Sequence, residues 1–292
     1  MTFIMYIPGI RNILPDSWYV KCQYRYRMGK KLNLKDPKEF SEKIQWLKLY
    51  YHKPEYKIMS DKYAAKTWIV DRLKEEFSEA EKYIPKTYGC WGSFDEIDFT
   101  KLPDKFVLKM NHDSGTVLLV TDKKEFDIIK AKKHLETAMK KKYYWLAREW
   151  CYKNITPCIF AEEYLGENLT DYKFHCFDKA RFVQVISDRH INKKNNMYTL
   201  PEWVFEPTNI DASGGFKVGP DIFPRPEKLD EMIRICERLS SDVPYLRVDL
   251  YYINNNIYIG ELTAYPAAGY IASFPDRSTE FGGWINLPKD KK

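Results

Sequence analysis

The first ~80 residues carry apolar side chains at the spacing of amphipathic helices. Within SEKIQWLKLYY, the positions Ile44, Trp46, Leu47 and Tyr50 lie near helical spacing. The following stretch, SDKYAAKTWIVDRLKEEF, has the same character and opens on Ser60, a residue type that often caps a helix at its N-terminus. We therefore predict a mostly helical N-terminal region over residues 1–82.

From about residue 83 the pattern changes to short apolar runs, partly β-branched, that are separated by turn residues. Helices alternating with antiparallel hairpins favour an α+β fold with a mostly antiparallel sheet, and we divide this part into subdomains 83–165 and 166–292. The predicted strands are 105–112, 116–122, 158–165, 172–177, 181–188, 246–253 and 257–265, and the predicted helices are 126–150 and 226–240.

The closing hairpin carries the most specific chemistry in the chain. If Asn254–Asn256 form its loop, Asp249 lies directly across from Glu261, and both side chains point to the same face of the sheet. Two facing carboxylates repel each other unless a cation lies between them, and oxygen ligands of this kind suit Mg²⁺. The same pairing puts Arg247 opposite Thr263 on that face. An ordinary surface charge network is the alternative interpretation, and a two-residue loop would shift the pairing by one.

Net charge adds one further feature. The chain of 292 residues has a formal charge of +6, and residues 1–50 contain ten Lys or Arg against four acids, which accounts for the whole excess. This basic, aromatic segment suits an acidic glycan, a phosphate group or an anionic membrane surface, whereas a solvated face that aids solubility is the alternative. No nucleic-acid partner is expected.

The remaining composition is that of a globular protein, with 44% hydrophobic and 30% charged residues. Six dispersed cysteines without a CxxC pair indicate free thiols rather than a disulfide framework or a zinc site. The sequence shows no convincing signal peptide and no run of ~18 apolar residues. We expect a cytoplasmic protein, with peripheral membrane contact through the basic N-terminal segment as an additional interpretation.

Four motifs together resemble one known family. They are SDKYAAKTWIV, LPDKFVLKMNHDSG, EEYLGENLTDYKFHCFD and the closing hairpin RVDLYYINNNIYIGELTAYPAAGY. In this order, over about residues 35–288, they are similar to the TupA-like branch of the ATP-grasp proteins of bacterial surface-polysaccharide synthesis. The resemblance implies an ATP-grasp fold, in which two α+β subdomains clasp ATP, with ATP and Mg²⁺ as cofactors.

The resemblance also implies residues that bind the nucleotide. Lys62 and Lys109 correspond to the two lysines that hold phosphates, and the loop 111–115 lies where the family covers the β- and γ-phosphates, with backbone N–H groups of the kind that cradle oxygen. Residues 162–165 correspond to the hinge that meets adenine, Asp171 to the acid on the ribose hydroxyls, and Lys173 to a further phosphate contact. The cofactor-binding residues are thus expected to be Lys62, Lys109, Ser114, Gly115, Glu162, Glu163, Tyr164, Leu165, Asp171 and Lys173.

The metal and catalytic positions follow in the same way. Asp249 and Glu261 correspond to the magnesium ligands, joined by Thr263 where the wider superfamily usually has Asn. Arg247 corresponds to the anion stabiliser, and Lys109 and Arg189 complete the expected catalytic set, with Arg189 near the γ-phosphate.

Two histidines, His112 and His175, also fall within these motifs. His112 is either a general base or anion contact, or a turn residue satisfied by local backbone. His175, which alternates with Phe174 on a strand, is expected to be structural.

The implied reaction activates a carboxylate as an acylphosphate that an amine then attacks, which depends on positioning and charge neutralisation. The expected partners are an amino acid or small amine and a uronic or other acidic residue of a capsular or cell-wall glycan precursor. Two alternatives stay open: a glycosyltransferase, although the chain has no Asp-x-Asp triplet, and a non-catalytic ATP-grasp-like module that binds glycans.

Overall fold

The computed structural model describes residues 13–187, 194–206, 223–271 and 277–289. Arg189, one of the residues expected to be catalytic, lies outside the described residues. Within these ranges, none of the helices combines the length and apolar character that crossing a bilayer requires.

Ten described strands form two sheets, and all of their pairings are antiparallel. The smaller sheet has the strand order β1-β4-β2-β3, and the larger has the order β10-β9-β5-β6-β7-β8. The strands are β1 (Thr87–Trp91), β2 (Phe106–Met110), β3 (Val117–Val120), β4 (Ile159–Glu163), β5 (Asp171–Cys176), β6 (Ala180–Ser187), β7 (Lys194–Thr199), β8 (Val204–Glu206), β9 (Leu246–Ile253) and β10 (Asn256–Thr263).

Helices lie before, between and after these strands. Four of them fall within the first 80 residues, as the apolar spacing predicts. The α-helices of the described residues are α1 (Asp16–Met28), α2 (Phe40–Tyr50), α3 (Glu55–Ser60), α4 (Ala64–Leu73), α5 (Ile128–Met139), α6 (Tyr144–Ala147), α7 (Leu229–Ser240) and α8 (Ser278–Gly283).

Each sheet has its own hydrophobic core. Helix α5 covers the smaller sheet through Ala131, Leu135 and Ala138, which belong to the same cluster as buried residues of β2 and β4. The larger sheet shares a core with α7 and also with the N-terminal helices α2, α3 and α4. The helical N-terminal region thus packs directly on the sheet that carries the closing hairpin. The division at residues 82 and 165 stays a prediction, although each sheet falls within one of the predicted ranges.

Several predicted boundaries are wrong for local reasons. Ser60 ends α3 instead of capping α4, and the Asp61 carboxylate accepts the backbone N–H groups of Tyr63 and Ala64 where α4 begins. The predicted helix 126–150 is broken into α5 and α6. Strands β1, β7 and β8 were not predicted, because β1 contains a glycine and all three runs are short or polar.

Candidate functional site

A cleft of about 470 Å³ opens between the two sheets. This volume is within the usual range for small-molecule sites, ~300–1,000 Å³. Both sheets and the loop after β2 contribute side chains to its wall. The lining includes the predicted residues Lys62, Lys109, Ser114, Gly115, Glu162, Glu163, Leu165, Asp171, Lys173, Asp249 and Glu261.

The hairpin of β9 and β10 places the two carboxylates face to face. The predicted three-residue loop is wrong: Ile253 pairs with Asn256, so the turn has two residues, Asn254 and Asn255, both with positive φ. A bulge between Ile259 and Glu261 then shifts the register back by one residue. Asp249 therefore pairs with Glu261, as predicted, and Arg247 pairs with Thr263.

Glycine is required at the bulge position. A Cβ atom on Gly260 would lie 2.7 Å from the Tyr251 ring, which lines the cleft from β9. The bulge and its glycine thus correct the register that the short turn would otherwise impose.

Cations surround the carboxylate pair. Arg247 donates from Nε to Asp249 Oδ1 at 2.6 Å and from Nη2 to Asp249 Oδ2 at 2.8 Å and Thr263 Oγ1 at 3.0 Å. Lys173, which pairs with Asp249 across β5 and β9, forms an ion pair with the same carboxylate. Arg247 Nη2 also lies 3.9 Å from Glu261 Oε2, so one guanidinium bridges both acids.

These charges keep both acids ionised. Burial raises the pKa of Asp249, but Arg247 and Lys173 more than compensate, and the net pKa lies well below the usual value. For Glu261, burial again raises the pKa, while Lys62 lowers it and the net pKa is below its ordinary value. Asp249 is buried and Glu261 is half-buried, and a pair of ionised carboxylates is what a divalent cation requires of its ligands.

A second charge cluster lies on the smaller sheet. Glu162 is 5% exposed, and its carboxylate forms ion pairs with two lysines. These are Lys109 and Lys66, and the Lys66 Nζ lies 2.9 Å from Glu162 Oε2. Burial raises the pKa of Glu162, but the two lysines lower it by more than burial raises it. The net pKa of Glu162 is therefore below its usual value. Lys66 was missed, although it is the second lysine of the DKYAAK motif in which Lys62 was recognised.

Lys62 joins the loop 111–115 to the carboxylate pair of Asp249 and Glu261. Its Nζ donates to the Asp113 carbonyl and lies 3.2 Å from Glu261 Oε1. Its backbone N–H donates to the Asn111 carbonyl, and the Asn111 amide in turn donates to Asp61 Oδ2 at 2.9 Å. The loop 111–115 is thus fixed at its start, while Ser114 and Gly115 at its tip are exposed towards the cleft.

The predicted hinge is only partly directed at the cleft. Of its four residues, Glu162, Glu163 and Leu165 line the cleft, whereas Tyr164 does not. The Glu163 N–H already donates to the Lys86 carbonyl at 2.8 Å, so it is engaged within the protein. Asp171, 2% exposed, lines the cleft from the start of β5, as the predicted ribose contact requires.

Both histidines are buried, and each has hydrogen-bond partners. His112 Nε2 lies 3.2 Å from the Lys141 carbonyl, beyond its own turn. His175 lies between Gln184 and Tyr245 at 2.6 and 2.8 Å, which suits its expected structural role.

The charge balance of the cleft suits a nucleotide with a metal. Five cations lie with six carboxylates in and around the cleft, which leaves room for the charge of a divalent cation; they are Lys62, Lys66, Lys109, Lys173 and Arg247, and Glu162, Glu163, Glu167, Asp171, Asp249 and Glu261. Among the described residues, no three His, Cys, Asp or Glu side chains converge as a metal site. A magnesium ion held by Asp249 and Glu261 would complete its shell with phosphate oxygens and water.

A cleft between two antiparallel sheets, lined by lysines and a facing carboxylate pair, has the charges that suit a protein of the class that binds phosphates together with a divalent cation. The family model of the TupA-like ATP-grasp proteins matches residues 42–284. The chain belongs to this family, which confirms the predicted family and the α+β ATP-grasp fold. The ATP-grasp family agrees with the predicted enzyme class, ATP-grasp ligase, and with the predicted cofactors ATP and Mg²⁺.

Solved structures with a similar fold include two D-alanine–D-alanine ligases. The one from Bacillus anthracis, complexed with ATP, is 18% identical over 77% of this chain and 65% of its own, with a TM-score of 0.40. The one from Helicobacter pylori is 15% identical over 86% of this chain and 70% of its own, with a TM-score of 0.43. A third structure, N5-carboxyaminoimidazole synthetase from Staphylococcus aureus complexed with ADP, is 12% identical over 80% of this chain and 53% of its own, with a TM-score of 0.37.

The chain spans 65% and 62% of the lengths of the two Bacillus anthracis ligase chains to which it is similar. With TM-scores below 0.5, these resemblances carry no information about the substrates of this chain. Among curated proteins, none matches the sequence.

Proposed function

We propose that this protein is a Mg-ATP-dependent carboxylate–amine ligase that forms an amide through an acylphosphate. The observation that carries the proposal is the facing pair of ionised acids, Asp249 and Glu261, at one side of a cleft whose opposite wall holds Lys109. This is the arrangement that a triphosphate with its metal requires, because positive groups and a cation must flank the transferred phosphoryl group.

The reaction has two balanced steps. A carboxylate oxygen of the first substrate takes the γ-phosphoryl group, and ADP leaves. The amine of the second substrate then attacks the acyl carbon, phosphate leaves, and the amine loses a proton.

The protein's own residues contribute charge and position. Magnesium, when bound, would neutralise charge on the phosphates and orient them. Asp249 and Glu261 would hold the ion, while Lys62 and Lys109 would contact phosphate oxygens. Arg247, fixed by two hydrogen bonds to Asp249 and one to Thr263, would stabilise the anionic transition state from a rigid position.

The substrates we propose are an amino acid or small amine and a uronic or other acidic residue of a capsular or cell-wall glycan precursor. This choice is supported by the family's association with surface-polysaccharide synthesis.

The basic helix α1 supports contact with an anionic surface. Its exposed side chains and those that follow it include Lys21, Arg25, Lys30 and Lys31. Each such charge near an anionic bilayer contributes ~1 kcal/mol to binding. We propose that this face lies against the membrane when the glycan precursor is attached to a lipid.

The test is incubation with ATP, Mg²⁺ and a panel of uronic acids with amines or amino acids, followed by mass spectrometry. We expect ADP, phosphate and a new amide. Release of UDP from a UDP-sugar, without ADP from ATP, would instead support a glycosyltransferase. Nucleotide binding that is indifferent to magnesium and to Asp249→Asn would support a non-catalytic module.

A further inference from the structure

Two cysteines beside the start of β4 bring their sulfur atoms together. Cys90 lies on β1, Cys158 directly precedes β4, and their Sγ atoms are 2.9 Å apart. Cys90 pairs with Phe160, and Cys158 stands two residues before Phe160, so both thiols lie on the same face of the smaller sheet. They form a diagonal cross-strand pair, in which side chains of neighbouring strands are within reach of each other.

Both thiols of the pair are accessible to a small reagent. The six cysteines are all free thiols, and three of them are half-buried, namely Cys22, Cys90 and Cys158. The other three cysteines are buried in the protein interior. Cys22, on α1, therefore offers a thiol of the same exposure class with which the pair can be compared.

The distance between the sulfurs suits a covalent bond better than a shared metal. A disulfide bond is ~2.05 Å long, so the two Sγ atoms need to approach by only about 0.9 Å. Two thiolates that share a tetrahedral Zn²⁺ ion at ~2.3 Å would lie ~3.7 Å apart, so the sulfurs would have to separate. In the part of the chain that the structure describes, no third His, Cys, Asp or Glu side chain completes a metal site with them.

Cys158 also holds the first residue of the loop 111–115. Its backbone N–H donates to Asn111 Oδ1 at 2.8 Å, and its carbonyl accepts the Asn111 N–H at 3.2 Å. The Asn111 carbonyl in turn accepts the backbone N–H of Lys62 at 3.0 Å. A movement of Cys158 towards β1 is therefore transmitted to a loop whose tip, Ser114 and Gly115, lines the cleft.

We propose that Cys90 and Cys158 are a redox modification site, and that a disulfide between them weakens nucleotide binding by displacing the loop 111–115. The oxidant is a low-molecular-weight disulfide of the glutathione type. The modification itself is independent of the proposed ligase function, whereas its effect on binding rests on the nucleotide site that this function uses.

The oxidation has two balanced exchange steps. The Cys90 thiolate attacks one sulfur of the oxidant, which forms a mixed disulfide and releases one thiolate. The Cys158 thiolate then attacks the Cys90 sulfur, which forms the protein disulfide and releases the second thiolate. Two protein thiols are oxidised, one disulfide is reduced to two thiols, and the protons of the protein thiols pass to the two released groups.

Contact between the sulfurs favours the second step. Burial raises the pKa of both thiols, so each is mostly protonated at neutral pH and the first step is slow. Once the mixed disulfide has formed, the second thiol already lies beside the sulfur that it attacks, and well-placed intramolecular groups react as if at very high concentration. The pair therefore proceeds to the protein disulfide instead of remaining a mixed disulfide.

The test oxidises the full chain and measures both the thiols and nucleotide binding. Reduced wild type is incubated with oxidised glutathione at pH 8, the remaining thiols are alkylated in denaturant, and the digested protein is analysed by mass spectrometry. We expect a cross-linked peptide that joins Cys90 to Cys158 and disappears with dithiothreitol. A fluorescent ATP analogue should bind about tenfold more weakly to the oxidised protein, because a displacement of ~1 Å in a positioning group has effects of this size or larger.

Three variants locate the site. Cys90→Ser and Cys158→Ser should each abolish the cross-link, and oxidised Cys90→Ser should bind the analogue as tightly as reduced wild type does. Equal affinity of wild type and variants before oxidation shows that the variants are folded. Cys22→Ser is the matched control, and it should form the cross-link and lose affinity as wild type does.

Oxidised wild type without the Cys90–Cys158 cross-link would overturn the inference, and so would a cross-linked protein that binds the analogue as tightly as the reduced one. In both cases the ligase function stands, since the reduced protein binds the nucleotide. If the reduced protein does not bind the analogue at all, the proposed function fails and the effect on binding fails with it, whereas the cross-linked peptide still decides whether the two thiols are a modification site.

Discussion

The buried carboxylate of Glu162 allows a quantitative test of how the cleft is built. It compensates two lysines, Lys66 and Lys109, whose side chains are 14% and 17% exposed. Glu162→Gln keeps the side-chain shape but leaves two positive charges without an anion. Removing one member of a buried ion pair costs about 3–5 kcal/mol. Because Lys66 also donates to the Pro85 carbonyl and to Thr87 Oγ1, we expect the lower end, about 3 kcal/mol.

The assay is urea unfolding followed by tryptophan fluorescence, without nucleotide. Glu163→Gln is the control, since the Glu163 carboxylate accepts a single backbone N–H, from Lys86 at 3.3 Å, and its loss should cost about 1 kcal/mol or less. Nucleotide phosphates bring negative charge to Lys66 and Lys109, so Mg²⁺ with an ATP analogue should stabilise Glu162→Gln more than wild type. A loss below about 1 kcal/mol for Glu162→Gln would refute the ion-pair reasoning.

Two further predictions concern the larger sheet. Gly260→Ala puts a Cβ atom 2.7 Å from the Tyr251 ring, which lines the cleft. Because overpacking costs ~1–3 kcal/mol, this variant should bind a fluorescent ATP analogue about tenfold more weakly. The control is Gly92→Ala, whose Cβ atom would lie 3.8 Å from its nearest neighbour and should leave the affinity unchanged. Burial lowers the pKa of His175 to about 3 in the folded protein. As the pH falls below ~6.5, the histidine of the unfolded chain therefore takes up a proton, whereas that of the folded protein does not. The free energy of unfolding should therefore fall by up to about 1.4 kcal/mol per pH unit between pH 6.5 and 3, and by less in His175→Gln. Urea titrations at pH 7 and pH 5 measure this difference, and equal slopes for the two proteins would contradict it.

The closing hairpin shows what local sequence can predict. Alternation along β9 and β10 placed Asp249 and Glu261 on one face, and that pairing is correct. The loop length was wrong, and the pairing survives because Gly260 forms a bulge. A glycine inside a strand pattern is a known sign of a bulge, so this signal was present in the sequence.

Contacts between distant segments were not predictable in the same way. Lys173 was expected at phosphate, and nothing local indicates that β5 pairs with β9 and brings it to Asp249.

The central claim is that Asp249 and Glu261 hold magnesium for the nucleotide, and Mn²⁺ binding measured by electron paramagnetic resonance tests it most directly. With ADP present, we expect wild type to bind one or more Mn²⁺ ions that Mg²⁺ displaces. In Asp249→Asn and Glu261→Gln, the affinity should fall at least tenfold, while Glu136→Gln binds as wild type does. Nucleotide-dependent Mn²⁺ binding of wild-type strength in both variants would contradict the account.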